Sequence, residues 1–263
     1  MSGRVVFVGA GPGDPELITV RGQRMLRAAD VVVWAASLVH PALLREARPD
    51  AEIVSSSDRH LGEIVDLMVD RASAGRLVVR LHSGDPSVYG AILEQMVALR
   101  RAGVPFEVVP GVSSLFAAAA RLPAELTVPG ISQTVILTRT AGRASPLPSG
   151  AELAAVARHP ATLAIFLSAA LVPRVVRELR EAGVADDTPA VVAVRVGWPD
   201  EQILRTTVGE LAATVRAARV HRQALILVGR ALDPALLDGG APASRLYDPT
   251  FRHLFRGGGE GGA

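Results

Sequence analysis

Five short runs rich in Val, Leu and Ile punctuate the first 111 residues at near-even intervals: RVVFVGA (4–10), DVVVWAA (30–36), AEIVSS (51–56), RLVVRLH (76–82) and FEVVPG (106–111). Each is strand-like in length and β-branched content. Between them lie helix-like stretches at Pro15–Ala29, Pro41–Ala47, Leu61–Ala74 and Val88–Ala102. Parallel strands need long crossovers of this kind, whereas antiparallel strands join through tight turns. The alternation therefore predicts a mostly parallel α/β sheet, whose ligands meet the carboxyl ends of the strands. Asp14 followed by Pro15 reads as an N-cap and first helical turn.

The pattern changes after residue 122. PAELTVPGIS (123–132) holds two prolines and a glycine and reads as a linker. Strand-like runs follow at TVILTR (134–139), ATLAIFLS (161–168), PAVVAVRVG (189–197), QILRTTV (202–208) and ALILVG (224–229), with helices over 150–158, 171–182 and 209–219. Only the short WPDE connection precedes QILRTTV, which predicts a hairpin and a mixed sheet. The expected organisation is two α/β domains: 1–122 with a mostly parallel sheet and 133–238 with a mixed one. The stretch 123–132 joins them, Ser145–Ser149 forms a surface loop, and 239–263 is a disordered tail.

Residue usage removes several chemistries. There is no cysteine, hence no disulfide, no thiolate nucleophile and no zinc–cysteine site. All 28 basic residues are arginine, so neither a Schiff-base lysine nor a P-loop lysine is available. Net charge is only +2 and the arginines are scattered, a pattern that does not suggest nucleic-acid binding. Dispersed arginines can instead read carboxylates on a small anionic ligand. Met1–Gly3 is too short for a signal peptide, and charge or proline breaks every apolar stretch short of the ~20 residues that span a membrane. The expectation is a soluble, cytoplasmic protein without a membrane partner. His60 and Glu63 lie one helical turn apart but lack a third ligand, so no metal site is expected.

Three strand exits carry the candidate chemistry. The first, GAGPGD (9–14), has glycines at 9, 11 and 13. A dinucleotide fingerprint requires G-x-G-x-x-G, and its third glycine position here is Asp14, whose charge would repel a pyrophosphate. Pro12 removes a donor that a phosphate would use. These two residues weigh against an NAD-binding oxidoreductase. In the second, HSGDPSVYG (82–90), Gly84 permits close backbone approach and Asp85 offers an acceptor for an ammonium or hydroxyl. In the third, PGVSSLFAAAA (110–120), Ser113 or Ser114 caps a helix and offers a hydroxyl. Carboxylate, hydroxyls and backbone without a phosphate cradle suit a ligand with an amino-acid moiety and a positive centre, as in S-adenosylmethionine.

These stretches, with ADVVVWAASLVHP (29–41), AELTVPGISQTVILTR (124–139) and GWPDEQILRTTV (197–208), resemble the tetrapyrrole methylase family in order and spacing from about residue 3 to about 235. The resemblance implies two α/β domains with S-adenosylmethionine in a cleft between them, usually in a homodimer. It also implies methylation of a polycarboxylate tetrapyrrole, with S-adenosylhomocysteine as product. Cofactor contacts carry over to Ser83, Gly84, Asp85, Val88, Ser113 and Ser114, to Leu167, Gly197 and Ala224, and to Pro12 beside the cofactor. The glycine loop carries over to the tetrapyrrole side through Gly11, Gly13 and Asp14. Within the family the motifs are most similar to those of enzymes acting at ring carbon 11 of precorrin-4, metal-free or as the cobalt complex. Relatives that methylate uroporphyrinogen III carry an Asp where this chain has Ala35, and a Lys in the loop where it has SSSDR. Both absences argue against that earlier step.

The substrate's carboxylates give Arg21, Arg59 and Arg139 a role near the motif edges; Arg80 reads as alternating outward on its strand. Asp14 and His82 are the candidates for handling a proton. Diphthine synthase and a ribosomal RNA ribose methylase share the fold, and the RNA enzyme would require a denser basic face. A non-catalytic tetrapyrrole-binding protein is separated from an enzyme by turnover.

Overall fold

The computed structural model describes residues 3–142, 146–240, 244 and 251–252. The chain forms two compact units: Met1–Leu122 with Val192–Leu204 and Val220–Leu225, and Pro123–Val191 with Arg205–Arg219 and Ile226–Ala263. The sequence reading, by contrast, placed 192–204 and 220–225 with the second domain. Much of the tail, and Ser145 of the expected surface loop, lie outside the described residues.

In the first unit, β1 (Arg4–Gly9), β2 (Val31–Trp34), β3 (Glu52–Ser55), β4 (Leu77–His82) and β5 (Phe106–Val109) form a sheet of order β3-β2-β4-β1-β5. Every pairing in it is parallel. Four helices serve it: α1 (Val20–Ala28), α2 (Leu61–Ser73), α3 (Ile92–Arg101) and α4 (Ser114–Arg121). Alternate residues explain the continuous apolar strand runs, because both sheet faces are covered. Val5, Phe7, Val31, Val33 and Val78 pack with Ile64 and Met68 of α2 and Leu99 of α3. Val6, Val8, Val32, Val79 and Leu81 pack with Leu26 of α1 and Leu43. Each fully buried Leu, Met or Phe side chain contributes roughly 1.5–3 kcal/mol.

Local chemistry shortens the expected helices. The stretch expected as one helix from Pro15 to Ala29 is divided at Ile18 and Thr19. Asp14 Oδ1 accepts from the Glu16 amide (2.9 Å) to cap a short 3₁₀ turn, Pro15–Leu17, and Thr19 Oγ1 accepts from the Gly22 amide (3.1 Å) to start α1. Pro41–Glu46 is likewise a 3₁₀ turn. The helix expected from Val88 begins only at Ile92, because Tyr89 and Ala91 adopt left-handed φ values of 56° and 50°. His60 and Glu63, weighed above as metal ligands, form a capping box for α2, each side chain accepting the other's backbone N–H.

The second sheet contains β6 (Val135–Arg139), β7 (Thr162–Phe166), β8 (Pro189–Val194), β9 (Gln202–Thr207) and β10 (Ala224–Val228), ordered β6-β7-β10-β8-β9. β6 runs parallel to β7 and β10 antiparallel to it, so the sheet is mixed. Its helices are α5 (Leu153–Val156), α6 (Val172–Glu181) and α7 (Leu211–Ala217). Residues 123–132 are not a bare linker. Leu126 and Val128 are buried, and Thr162 Oγ1 donates to Leu126 O (2.8 Å). Among the described residues, no helix is long and apolar enough to cross a membrane.

Candidate functional site at the strand exits

The glycines of the first unit answer the phosphate question by how they pack. A Cβ on Gly9 would lie 2.5 Å from Gly111 Cα and 2.7 Å from Gly84 O; one on Gly111 would lie 2.2 Å from Gly84 O. The exits of β1, β4 and β5 thus press backbone against backbone, which no side chain survives. Gly84 N–H donates to Gly11 O (2.7 Å) and Gly11 N–H to Gly84 O (3.3 Å). The Gly11 donor that a pyrophosphate would need is therefore taken, and Pro12 has none.

Asp85 is the clasp of this junction. Its Oδ2 accepts from the Gly111 amide (2.9 Å) and its Oδ1 from the Ser87 amide (2.8 Å), so both oxygens already hold backbone. Ser113 is 6% exposed, and its Oγ accepts from the Leu115 amide as the cap of α4. Ser114 beside it is half-buried and no capping bond uses its hydroxyl. Gly84 is buried at φ 64°, and a Cβ on it would lie 3.8–4.0 Å from Ser113 Cα, Ser114 N and Val112 O. The half-buried Ser83, Asp85, Val88, Gly111 and Ser114 form the accessible rim. The hydroxyls and backbone atoms of this rim are the groups here that could hold a cofactor.

A second cluster clamps the glycine loop. A Cβ on Gly13 would lie 2.3 Å from Trp198 Cδ1, and one on Gly197 (φ 81°) 2.5 Å from Asp14 N. Trp198 Nε1 donates to Pro12 O (3.3 Å), the Arg195 guanidinium stacks 4.1 Å from the indole centroid, and the His40 ring lies 4.8 Å away. Gly11, Pro12 and Gly13 are consequently buried, and of the loop's candidate residues only Asp14 is half-buried. Trp198 had no assigned role in the sequence pattern, where the Gly197–Trp198 pair is the signal that could have found the clamp.

The remaining candidates separate. His82 is 7% exposed against Phe7, ring centroids 5.9 Å apart; burial, reinforced by the Arg80 charge, pushes its pKa down to about 3. A neutral imidazole of that pKa is a very weak base. Arg80 does not turn outward: it is 6% exposed. A covered parallel sheet leaves no outward side, which is the signal that could have found it. Arg21 is paired to Glu107 at 2.8 Å. Arg59 is exposed, with Nε donating to Ser55 O at 3.2 Å. In the second unit, Arg139 donates to Pro146 O (3.2 Å), and Leu167, after β7, is 69% exposed at φ 53°. Ala224 opens β10, half-buried. Among the described residues, no three His, Asp or Glu side chains are grouped to hold a metal.

Comparisons with known proteins agree with this geometry. Residues 4–212 match the model of the family described as Tetrapyrrole (Corrin/Porphyrin) Methylases. The chain is 51% identical to a cobalt-precorrin-4 C(11)-methyltransferase of Priestia megaterium, covering 97% of this chain and 98% of that protein. It is 47% identical to a precorrin-4 C(11)-methyltransferase of Pseudomonas aeruginosa, covering 97% and 99%. Among solved structures, a cobalt precorrin-4 methyltransferase aligns with TM-score 0.85 at 51% identity, over 88% of this chain and 96% of the other. A uroporphyrin-III C-methyltransferase of Thermus thermophilus complexed with S-adenosylhomocysteine aligns at 0.75 and 34%, over 88% and 99%. With its parallel and mixed sheets, its interlocked glycines and a family match across most of its length, the chain belongs to the tetrapyrrole methylases.

Proposed function

We propose that this protein transfers the methyl group of S-adenosylmethionine to ring carbon 11 of precorrin-4, giving precorrin-5 in cobalamin biosynthesis and releasing S-adenosylhomocysteine. The observation that carries the reading is near-full-length likeness to enzymes named for that step. The strand-exit rim, whose glycines serve backbone packing instead of a pyrophosphate, supports it.

When bound, the cofactor supplies a methyl already activated on a sulfonium. What remains for the chain is to bind, orient and exclude water. Gly84, held left-handed with its N–H and C=O both bonded to Gly11, fixes the backbone path between the rim residues Ser83 and Asp85. Asp85 keeps the β4 and β5 exits together, so its contribution to cofactor binding runs through the backbone it clasps. Ser83, Ser114 and Val88 provide the side chains of the rim, with Pro12, Ser113, Leu167, Gly197 and Ala224 as further cofactor contacts. Gly11 and Gly13 shape the tetrapyrrole-side loop, and Asp14 is its accessible member. Of the two candidates for handling a proton, Asp14 is the accessible one, and its capping bond uses only Oδ1. Arg139 and Arg59 serve substrate carboxylates; Arg21 does so only by releasing Glu107. The reading extends to a cytoplasmic homodimer acting on a small molecule, with neither nucleic acid nor membrane as partner.

The test is a methyl-transfer assay read by mass spectrometry, with precorrin-4, cobalt-precorrin-4 and uroporphyrinogen III in parallel. One methyl added to either form of precorrin-4 is the expected result, and the faster form names the natural substrate. Methylation of uroporphyrinogen III alone would assign the chain to the earlier step. No transfer to any substrate, together with no binding of S-adenosylhomocysteine, would overturn the assignment.

A further inference from the structure

β4 carries a charged side chain where both faces of the sheet are covered. Arg80 lies in register with Phe7 of β1 and Val33 of β2, and no carboxylate among the described residues pairs with it. Its Nη1 donates to Val33 O (3.3 Å) and Ser56 Oγ (3.0 Å), while its buried Nε has no partner. Burial without a counter-ion lowers its pKa to about 10. Such an ion is strongly disfavoured in a protein interior, and an apolar side chain of similar volume would pack there without the penalty. The position therefore calls for a reason beyond packing.

Reach supplies one. Neighbouring strands lie ~4.8 Å apart, so the exit of β3, two strands away, is roughly 10 Å from β4. A side chain as long as arginine is needed to cross β2 and meet Ser56. Ser56 in turn donates its backbone N–H (2.9 Å) and its hydroxyl (3.1 Å) to Trp34 O at the end of β2. The guanidinium thus ties the exits of β2 and β3 into one knot from inside the core. The turn leaving that knot is fixed at each step. Arg59 N–H donates to Ser56 O (3.4 Å), Arg59 Nε to Ser55 O (3.2 Å), and Ser57 Oγ accepts from the Ser37 amide (3.3 Å). Its exposed end is the Arg59 guanidinium, which among the described residues has no carboxylate partner. In a parallel sheet this turn stands at the same end as Gly84 and Asp85.

We propose that Arg80 is a positioning residue: through Ser56 it holds the Ser55–Arg59 turn so that Arg59 presents its fork to a side-chain carboxylate of the tetrapyrrole substrate. The inference rests on the substrate class of the proposed function. Both bonds come from Nη1, so a lysine ammonium at position 80 could take over part of this role from a slightly shorter stem. His82 cannot substitute, because it is held neutral.

The test compares wild type with R59Q, S56A, R80K, R80M and the S56A/R59Q double variant. Binding of uroporphyrin III, a polycarboxylate macrocycle, is followed by quenching of tryptophan emission. Methyl transfer to precorrin-4 and affinity for S-adenosylhomocysteine are measured beside it. R59Q should weaken macrocycle binding and raise KM by about tenfold, with kcat changed by less than about twofold and S-adenosylhomocysteine affinity unchanged. S56A and R80M should raise KM in the same direction, and R80K should recover part of the loss. In the R59Q background S56A should add less than about twofold, since the turn then has no fork to present. A purely structural role would instead lower affinity by the same factor in both backgrounds, and that result overturns the proposal, as does an R59Q variant that binds like wild type. S56A removes one hydroxyl and keeps the test decisive if R80M fails to fold. Wild type that binds uroporphyrin III but transfers no methyl would refute the proposed function while the Arg59 comparison still reads out in binding. Wild type that binds no macrocycle overturns the inference.

Discussion

Gly13→Ala probes the clamp on the glycine loop. The new methyl would lie 2.3 Å from Trp198 Cδ1, 2.6 Å from its Nε1 and 2.7 Å from Val196 O. Carbon atoms rest at about 3.5–4.0 Å, so the indole has to retreat by roughly 1 Å or more. Retreat breaks the Trp198–Pro12 hydrogen bond, about 1 kcal/mol, and weakens the Arg195 stack, about 0.5–1 kcal/mol. Residual overpacking against Val196 O adds about 1–3 kcal/mol. The expected loss is about 3–4 kcal/mol, or a fall in Tm of roughly 10 °C for a unit of this size. Thermal and urea unfolding of wild type, G13A, W198A and G13A/W198A close a double-mutant cycle. With the indole removed only the carbonyl contact remains, so G13A should cost about 1 kcal/mol there, a coupling of about 2 kcal/mol. A G13A protein within about 0.5 kcal/mol of wild type, or an equal loss in both backgrounds, would refute the steric reasoning.

Acid stability should reflect two groups of opposite kind. The Arg71 guanidinium, by hydrogen bonding, and Arg76 hold the Glu52 carboxyl at about 2 against an ordinary value of 4.5. Its contribution is therefore complete above about pH 4.5 and is lost as pH falls toward 2. The stability gap between wild type and E52Q should close over that window in urea titrations, from at most about 2–3 kcal/mol after screening. His82, buried neutral with its pKa pushed to about 3, makes the unfolded chain the stronger proton binder below pH 6.5. His82→Gln should accordingly lose less stability than wild type between pH 6.5 and 4, while the pH profile of kcat/KM from 5 to 8 keeps its shape. An altered profile would return His82 to the chemistry. Asp85→Ala should cost about 1–2 kcal/mol and weaken S-adenosylhomocysteine binding at least tenfold in calorimetry, with Asp85→Asn intermediate because its Oδ1 still accepts one amide.

Much of the fold follows from local rules. The Val-rich runs became β1 to β5 within one or two residues at most ends, since continuous apolar stretches suit a sheet covered on both faces. The mixed second sheet was legible from one short connection. Helix starts were less so: Thr19 captured the cap of α1, and strained backbone at Tyr89 and Ala91 delayed α3, choices made between close alternatives. At the site, Ser83 to Asp85 and Ser113–Ser114 do meet at the exits of β4 and β5. The division of labour within them was not legible, because Asp85 turns both oxygens on backbone and Ser113 on its own helix.

Composition and strand spacing were enough to specify an α/β chain without thiol, lysine or dinucleotide chemistry, because strand period, turn residues and missing side chains act within a few positions; the tetrapyrrole methylase family came from the resemblance of its motifs. Tertiary structure alone decided why its glycines are glycines. Gly13 yields to an indole 185 positions away and Gly9 to the backbone of Gly111, and Arg80 is buried because β2 and the exit of β3 lie beside it. Such constraints arise from atoms brought together only when the chain closes on itself, and no local pattern records the distance between them.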